Sequence, residues 1–314
     1  MTPRTNHRSD VLIVGGGVIG AACADRLAGE GYSVRLIDRG AFARESSWAA
    51  AGIVHPVHPW KYPEPLPTLF KTAMRDHPAL CEDLLARTGI DSGLRPCGLE
   101  VQGSAAARIA DWWGTDTRWE KRREDCIFLP DACRIQPPRF TRALLEGARQ
   151  RGAELLSHTP ALSVEPGRVE TPRGTFEADF VVLAAGSWSG ELRPEAPTRP
   201  VRGQILLFRG SIPHMTIFAD GSYAVPRDGN RFLFGSTLEK AGFDPRPREE
   251  SVSRLQEKAY EHCGGAATLL EWDAEIPSFE VTHQEALKAR QFAQIPSPNS
   301  SETNSEIVLE QAHG

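Results

Sequence analysis

Val11-Leu-Ile-Val14 is an unbroken apolar run, the pattern of a parallel strand buried on both faces. From Val18 to Ala28 apolar and small residues (Ala21, Ala22, Ala24) recur at helical spacing, and Gly29 and Gly31 stop the pattern. Val34-Arg-Leu-Ile-Asp38 predicts a second strand, so Val11 to Asp38 reads as one complete β-α-β unit. Prolines at 56, 59, 63, 65 and 67 predict an extended connection over 54–67. Two helical patterns follow, one on Leu69, Phe70, Ala73 and Met74, the other on Leu80, Cys81, Leu84 and Leu85, ending near Gly89. A further helix is predicted at Pro138–Gln150, with Phe140, Leu144 and Leu145 on its apolar face, then a strand at Ala153–Ser157.

Beyond residue 160 the period changes to strands. Leu162–Glu165, Arg168–Thr171 and Thr175–Ala178 predict short antiparallel strands turning at Pro166-Gly167 and Arg173-Gly174. Phe180–Ala184 is again a continuous buried run. Gln204–Arg209, Met215–Phe218, Tyr223–Pro226 and Phe232–Phe234 form a strand-rich block, the last two joined through Asp228-Gly229-Asn230. This order predicts an α/β (α+β) chain of two interleaved domains. A Rossmann-like domain takes residues 10–65 and 130–200, and an antiparallel-sheet domain takes 66–129 and 201–264. Residues 265–314 read as an atypical C-terminal stretch, an Ala-rich helix followed by a polar tail expected to be partly disordered.

Composition narrows the class. A chain of 314 residues suits two domains, and 40% apolar with 25% charged residues excludes wholesale disorder. The 28 glycines and 24 prolines point to many tight turns and close backbone approaches. The net charge of −5 is too small and of the wrong sign for a nucleic-acid binder led by electrostatics. Its acidic surplus gathers in the tail, where residues 291–314 hold Glu302, Glu306 and Glu310 and neither Lys nor Arg. No stretch of about 18 apolar residues occurs, so no transmembrane helix is expected. Cysteines at 23, 81, 97, 126, 133 and 263 form no C-x-x-C pair, and free, mostly buried thiols in a reducing cytoplasm are the simplest reading. Arg4 and Arg8 precede an apolar run, but Gly15, Gly16, Gly17 and Gly20 interrupt it, which suits a nucleotide-binding strand and helix better than a cleaved leader.

The candidate chemistry starts at Gly15-x-Gly17-x-x-Gly20, after a buried strand and at the opening of a helix. The first glycine allows the tight turn, the second lets the backbone approach a pyrophosphate, and the third brings the helix close to the sheet. The helix N-terminus then offers free N–H groups and a positive dipole end to phosphates. Asp38, at the end of the second strand, is placed to accept from ribose hydroxyls. Arg44-Glu45-Ser46-Ser47-Trp48-Ala49-Ala50-Ala51-Gly52-Ile53 then supplies two hydroxyls and a side-chain-poor backbone against which a flat ring can lie; a plain Ala-rich helix start is the alternative. His55-Pro-Val-His58 has no third ligand nearby and no helical spacing, so no metal is expected. Trp112, Trp113 and Trp119 beside Lys121-Arg122-Arg123 are interleaved with Asp111, Asp116, Glu120, Glu124 and Asp125, which reads as a solvated face. Arg202 and Arg227 suit either a carboxylate ligand or surface charge.

With these residues in view the chain resembles the FAD-dependent D-amino-acid-oxidase family, and within it the glycine oxidases of thiazole (thiamine precursor) synthesis. The matching stretches, in the family's order over about residues 10–245, include Val11–Gly20, Ser46–Ile53, His158–Glu165, Val182-Leu-Ala-Ala-Gly186-Ser-Trp-Ser189, Pro200-Val-Arg-Gly-Gln204, Tyr223-Ala-Val-Pro-Arg227 and Gly235-Ser-Thr-Leu-Glu239. The resemblance implies a noncovalent FAD, with the Rossmann-like domain as FAD-binding domain and the antiparallel-sheet domain as substrate domain. It implies Gly15, Gly17, Val18, Ile19 and Gly20 at the pyrophosphate turn, Asp38 and Arg39 at the adenosine ribose, and Ser46 and Ser47 on the phosphate path. Ala51, Gly52 and Ile53 would touch the flavin ring, Gly186 would join the cofactor set, and Ala161, where the family commonly has valine, would meet adenine through its main chain. The implied reaction is oxidative deamination of glycine or a small amino acid to a 2-oxo acid, ammonia and hydrogen peroxide, with dioxygen as co-substrate and Tyr223 near the substrate carboxylate. A strand tyrosine packed in its sheet is the alternative for Tyr223. Two closing segments of the family, an Arg-Pro whose arginine clamps the carboxylate and a Gly-His-x-x-Asn-Gly-like turn, are not found. The Arg-Pro pairs at 95–96, 193–194, 199–200 and 246–247 stand in other stretches. A truncated or divergent, non-catalytic FAD- or nucleotide-binding protein of the same fold therefore stays beside the oxidase as a reading. The oxidase module of a tRNA-modifying enzyme and an NAD-dependent oxidoreductase fit less well. The expected partners are a small amine and dioxygen, with no nucleic acid and no membrane, and a homo-oligomer is left open.

Overall fold

The computed structural model describes residues 8–56, 58–114, 118–264 and 267–269, the last three by their backbone. The chain divides into two compact units: Met1–Val54, Pro63–Arg95 and Ile135–Pro200 make the first, and His55–Tyr62, Pro96–Arg134 and Val201–Gly314 the second. Both units are discontinuous, with three departures from the expected bounds: residues 55–62 and 130–134, placed in the first domain by sequence order, lie with the second unit, and one stretch crosses the other way. Residues 66–95, placed with the antiparallel-sheet domain by sequence order, lie with the first unit. The physical reason is a core that these residues share with the first helix and the parallel strands.

The first unit runs β1 (Arg8–Val14), α1 (Val18–Gly29), β2 (Val34–Ile37), α2 (Leu66–Thr88), α3 (Pro137–Gln150), β3 (Glu154–Leu156), β4 (Ser163–Glu165), β5 (Arg168–Thr171) and β6 (Gly174–Leu183). Its sheet has the order β3-β2-β1-β6-β5-β4. The β1, β2, β3 and β6 pairings are parallel, and β6-β5-β4 is an antiparallel meander. Because successive side chains point to opposite faces, β1 feeds two cores. Val11 and Ile13 pack with Ala21, Ala24 and Ala28 of α1, Leu144 and Ala148 of α3, and Cys81 and Leu84 of α2. Leu12 and Val14 pack with Ile37, Val164, Val169 and Phe176 on the other face. Each fully buried leucine or isoleucine of these cores contributes about 1.5–3 kcal/mol.

The two helical patterns of residues 69–85 are one helix, α2, with Pro78 inside it and Gly89 closing it at φ 71°. Its Arg87 reaches the buried carboxylate of Asp25 in α1 at 3.1 Å, and Arg151, just past α3, reaches the same carboxylate at 3.1 Å. Three helices are thus tied at one point. The segments expected as separate strands at 175–178 and 180–184 are also one strand, β6, which pairs with β5 at one end and with β1 along its length.

The second unit holds an eight-stranded sheet. Its central strands are β7 (Ile205–Arg209), β8 (Met215–Ile217), β9 (Tyr223–Arg227) and β10 (Arg231–Gly235), close to the expected bounds. Helix α4 (Glu249–Cys263) and strand β11 (Ala267–Leu269) follow. The sheet order is β11-β7-β10-β9-β8, then Leu99–Gln102, Cys126–Leu129 and Glu120–Arg123. Leu206, Phe208, Ala224, Phe232 and Phe234 form a core with Leu255 and Ala259 of α4. The expectation of an Ala-rich helix from residue 265 is corrected at its start: 267–269 is a strand paired antiparallel with β7, Leu207 opposite Leu269. An edge strand with free N–H and C=O groups is a template for such pairing. Residues 270–314 of that expectation lie outside the described residues. Glu120–Arg123 is an exposed strand, whereas Trp113 is buried in helix Ala105–Trp113.

All six cysteines are free thiols; Cys81 and Cys126 are buried and the other four are half-buried, fewer buried than expected. Among the described residues no group of His, Cys, Asp and Glu is placed to hold a metal ion, and no helix is long and apolar enough to cross a membrane.

Candidate functional site

The glycine turn between β1 and α1 is built so that side chains are excluded. Gly15 has φ 111°, and a Cβ on it would lie 2.4 Å from the Ala184 carbonyl oxygen. On Gly20 a Cβ would lie 1.9 Å from the Gly15 oxygen, and on Gly16 it would strike the Phe42 ring at 2.1 Å. No real side chain occupies such distances, so these glycines are what let the strand, the turn and the helix approach one another this closely. Gly17 is the N-cap of α1, with no side-chain hydrogen bond of its own.

The segment after β2 folds back onto that turn. One oxygen of Asp38 accepts the Gly16 N–H at 2.7 Å and the other accepts the Gly40 N–H at 2.8 Å. Besides the ribose role expected of it, Asp38 holds the glycine turn to the end of β2. A carboxylate has about four lone-pair sites, so two bonds leave capacity for ribose hydroxyls. Arg39 is fixed on both sides, its guanidinium 3.5 Å over the Trp188 ring and 2.9 Å from Glu45. In the one-turn helix Ser46–Ala49, Ser46 is exposed, while the Ser47 hydroxyl accepts the Val18 N–H at 2.9 Å. Gly52, at φ 69°, accepts the Ile135 N–H through its carbonyl at 2.8 Å, and a Cβ on it would meet the Ile135 oxygen at 2.1 Å. Ala51, Gly52 and Ile53 are thereby held as a half-buried strip.

Gly15, Gly17, Val18, Ile19, Gly20, Asp38, Arg39 and Ser47 are thus brought together around one turn. Gly186 opens a short 3₁₀ turn, Gly186–Trp188, at φ 54°. It follows directly on Ala184 and Ala185, whose backbone lies against Gly15. Ala161 is half-buried against the Leu12 and Val14 core. Sequence reading missed Phe42 and Gly40, and it quoted Trp188 within a motif without its stacking on Arg39; these residues shape the cradle through ring faces and main chain. Only the small pair Ala184-Ala185, inside a quoted motif, hinted at the close approach. The side-chain-free turn, the helix N-terminus and the carboxylate beside it together make a cradle that fits a dinucleotide.

In the second unit, Tyr223 stands opposite Gly235 in the β9–β10 register, and a Cβ on Gly235 would come within 3.4 Å of the Tyr223 hydroxyl. The missing side chain leaves the phenol its place across β10. Burial pushes this phenol above its ordinary 10, while the Ser236 side chain bonded to it and the nearby Arg227 act the other way. Arg202, left undecided by the sequence, is spoken for. It lies 2.5 Å from Glu239, which also accepts from Gln204 at 2.6 Å and Ser251 at 2.8 Å. The motifs around 200–204 and 235–239 thus meet in a buried ionic knot that is structural.

Residues 10–281 match the family model described as FAD dependent oxidoreductase (DAO). The chain is 34% identical to the glycine oxidase of Pseudomonas aeruginosa over 281 residues, covering 80% of this chain and 77% of that protein. It is 32% identical to the glycine oxidase of Geobacillus kaustophilus over 287 residues, 81% of this chain and 76% of that one. The crystal structure of glycine oxidase from Geobacillus kaustophilus is similar with a TM-score of 0.74 and 29% identity, covering 81% of this chain and 78% of that one.

Proposed function

Because this chain belongs to the DAO family of FAD-dependent oxidoreductases, we propose that it oxidises the carbon–nitrogen bond of glycine or another small amino acid. The overall change is amino acid plus dioxygen plus water to 2-oxo acid, ammonia and hydrogen peroxide. FAD, when bound, supplies the acceptor for the hydride leaving the substrate carbon and passes the electron pair to dioxygen.

The residues divide the remaining work. The Gly15–Gly20 turn and the α1 N-terminus, through Val18 and Ile19, take the pyrophosphate, where main-chain N–H groups and the helix dipole favour negative charge. Asp38 and Arg39 take the adenosine ribose, with Asp38 holding the turn in shape at the same time. Ser46 and Ser47 line the phosphate path. The strip Ala51–Ile53 would hold the flavin ring, Ala161 would meet adenine through its main chain, and Gly186 would complete the cofactor set. Tyr223 orients the substrate through its hydroxyl. A phenol is protonated at neutral pH, and burial favours that form further, so Tyr223 can donate to a carboxylate.

The observation that carries this reading is the turn in which Cβ atoms at Gly15, Gly16 and Gly20 would all collide with neighbouring atoms, in a chain whose relatives are named glycine oxidases. The test is a visible spectrum of the purified full chain, followed by anaerobic addition of glycine, sarcosine or D-alanine. A yellow protein bleached by one of these amines, with peroxide formed on admitting air, is the expected result. A yellow protein that no amine bleaches leaves only an FAD-binding role.

A further inference from the structure

Arg39 and Trp188 come from opposite sides of the strand that feeds the glycine turn. In the sheet, β1 lies between β2 and β6, and both pairings are parallel, so the three carboxyl ends share one edge. Arg39 stands just past the end of β2, and Trp188 closes the turn that follows β6. The Arg39 guanidinium carbon lies 3.5 Å over the indole ring, and Nη2 donates to the Glu45 carboxylate at 2.9 Å. One face and one edge of the guanidinium are therefore taken. Its side chain is still 47% exposed, which leaves the face turned away from the indole toward solvent.

Both flanks of this stack are fixed. The Trp188 N–H donates to the Ala185 oxygen at 3.0 Å. The Thr198 hydroxyl braces the same turn, donating to the Ser187 oxygen at 3.4 Å and accepting the Gly190 N–H at 2.9 Å. Beside Arg39, the Thr159 N–H donates to the Asp38 oxygen at 2.6 Å and the His158 N–H to the Gly40 oxygen at 3.0 Å. The segment leading to Ala161 thus runs alongside Arg39. An arginine loses much rotamer freedom when a ligand orders it, and here the indole has ordered it in advance. Glu45 offsets its charge, so a phosphate gains little from it, whereas a flat π ring gains from the open face.

We propose that Trp188 is a positioning residue: it holds the Arg39 guanidinium as a platform whose open face takes the adenine ring of FAD, while Asp38 keeps the ribose. This rests on the FAD-dependent oxidase reading and adds a selectivity to it. FMN carries the same flavin and a phosphate but no adenine, so it gains nothing from the platform.

The test titrates the full chain, after removal of bound flavin, with FAD, FMN and ADP in a calorimeter. FAD is expected to bind at least about ten-fold tighter than FMN. Trp188→Leu should weaken FAD and ADP about five-fold each and leave FMN unchanged. Trp188→Phe keeps an aromatic face and should restore most of the loss. Because Trp188 acts through Arg39, Trp188→Leu combined with Arg39→Met should lose no more than Arg39→Met alone. Should Trp188→Leu fail to fold by circular dichroism, Arg39→Lys at its exposed position still decides: lysine keeps the charge without the plane, and ADP should again weaken about five-fold. Equal losses for FAD and FMN, losses that multiply in the double variant, or unaltered ADP binding in Arg39→Lys overturns the platform. Anaerobic addition of glycine separates the two readings. Bleaching by glycine with an unmoved FAD preference in the variants removes the platform and keeps the oxidase. An FAD preference lost in Trp188→Leu, with no amine bleaching the flavin, keeps the platform and removes the oxidase.

Discussion

The Ser47 hydroxyl accepts the Val18 N–H at 2.9 Å, so the first turn of α1 is capped not by the residue before it but by a side chain from beyond β2. Gly17, at the N-cap position, has no side chain to do this. Ser47→Ala is expected to cost about 1 kcal/mol, the usual loss for a removed helix cap. FAD affinity should fall about five-fold, because the same turn holds the pyrophosphate. Ser47→Thr keeps the acceptor and should restore both. Denaturant midpoints and quenching of flavin fluorescence on binding are the measurements.

Gly235 sets the space available to Tyr223. A valine there meets Ile205 Cγ1 within 2.9 Å and the Tyr223 hydroxyl within 3.4 Å at its Cβ alone. Gly235→Val should therefore displace the phenol and raise KM for the amine about ten-fold, with kcat changed less, since binding rather than hydride loss is disturbed. Steady-state peroxide formation against amine concentration reads this split.

Asp25 is 5% exposed at its side chain and is held by Arg87 and Arg151, each 3.1 Å away. Removing its carboxylate leaves both guanidiniums without it. Asp25→Ala should destabilise the first unit by about 2–3 kcal/mol, below the full value for a buried pair because both arginines are partly solvated. A urea titration followed by circular dichroism measures it.

Acid should loosen the knot around Glu239. Arg202, then Ser251 and Gln204, hold its carboxyl down from 4.5 to about 2. A group depressed in the folded state adds stability above its unfolded pKa and loses it as pH falls through the folded one. This contribution is thus complete at neutral pH and disappears between about pH 4.5 and pH 2. Denaturant midpoints at pH 6, 4 and 3 should fall more steeply for the unaltered protein than for Glu239→Gln.

Much of the first unit was legible because its signals are local. Val11–Val14 has the apolar run of a doubly buried strand, and the glycines of the turn stand where backbone approach requires them. Asp38 was legible as an acid at the end of β2, but not its bonds to Gly16 and Gly40, which depend on how the chain folds back. Chain order puts residues 66–95 in the wrong unit because it carries no record of the Asp25–Arg87 contact that ties α2 to α1. Arg202 was ambiguous for the same reason, its partner Glu239 being far along the chain. The Arg39–Trp188 stack escaped notice because sheet order, not spacing, brings the ends of β2 and β6 to one edge.

The sheet of the first unit also sets a timetable. Strand β1 is made well before its neighbour β6, whose partners run from Glu177 to Leu183. At about 5–20 residues per second, the ribosome takes roughly 8–30 s to deliver that partner. Throughout that interval Leu12 and Val14 are in place while one edge of their strand is unpaired. Nascent chains of this protein therefore expose an aggregation-prone edge during synthesis, and yield in expression should respond to chaperone supply and lower temperature before it responds to any substitution at the site.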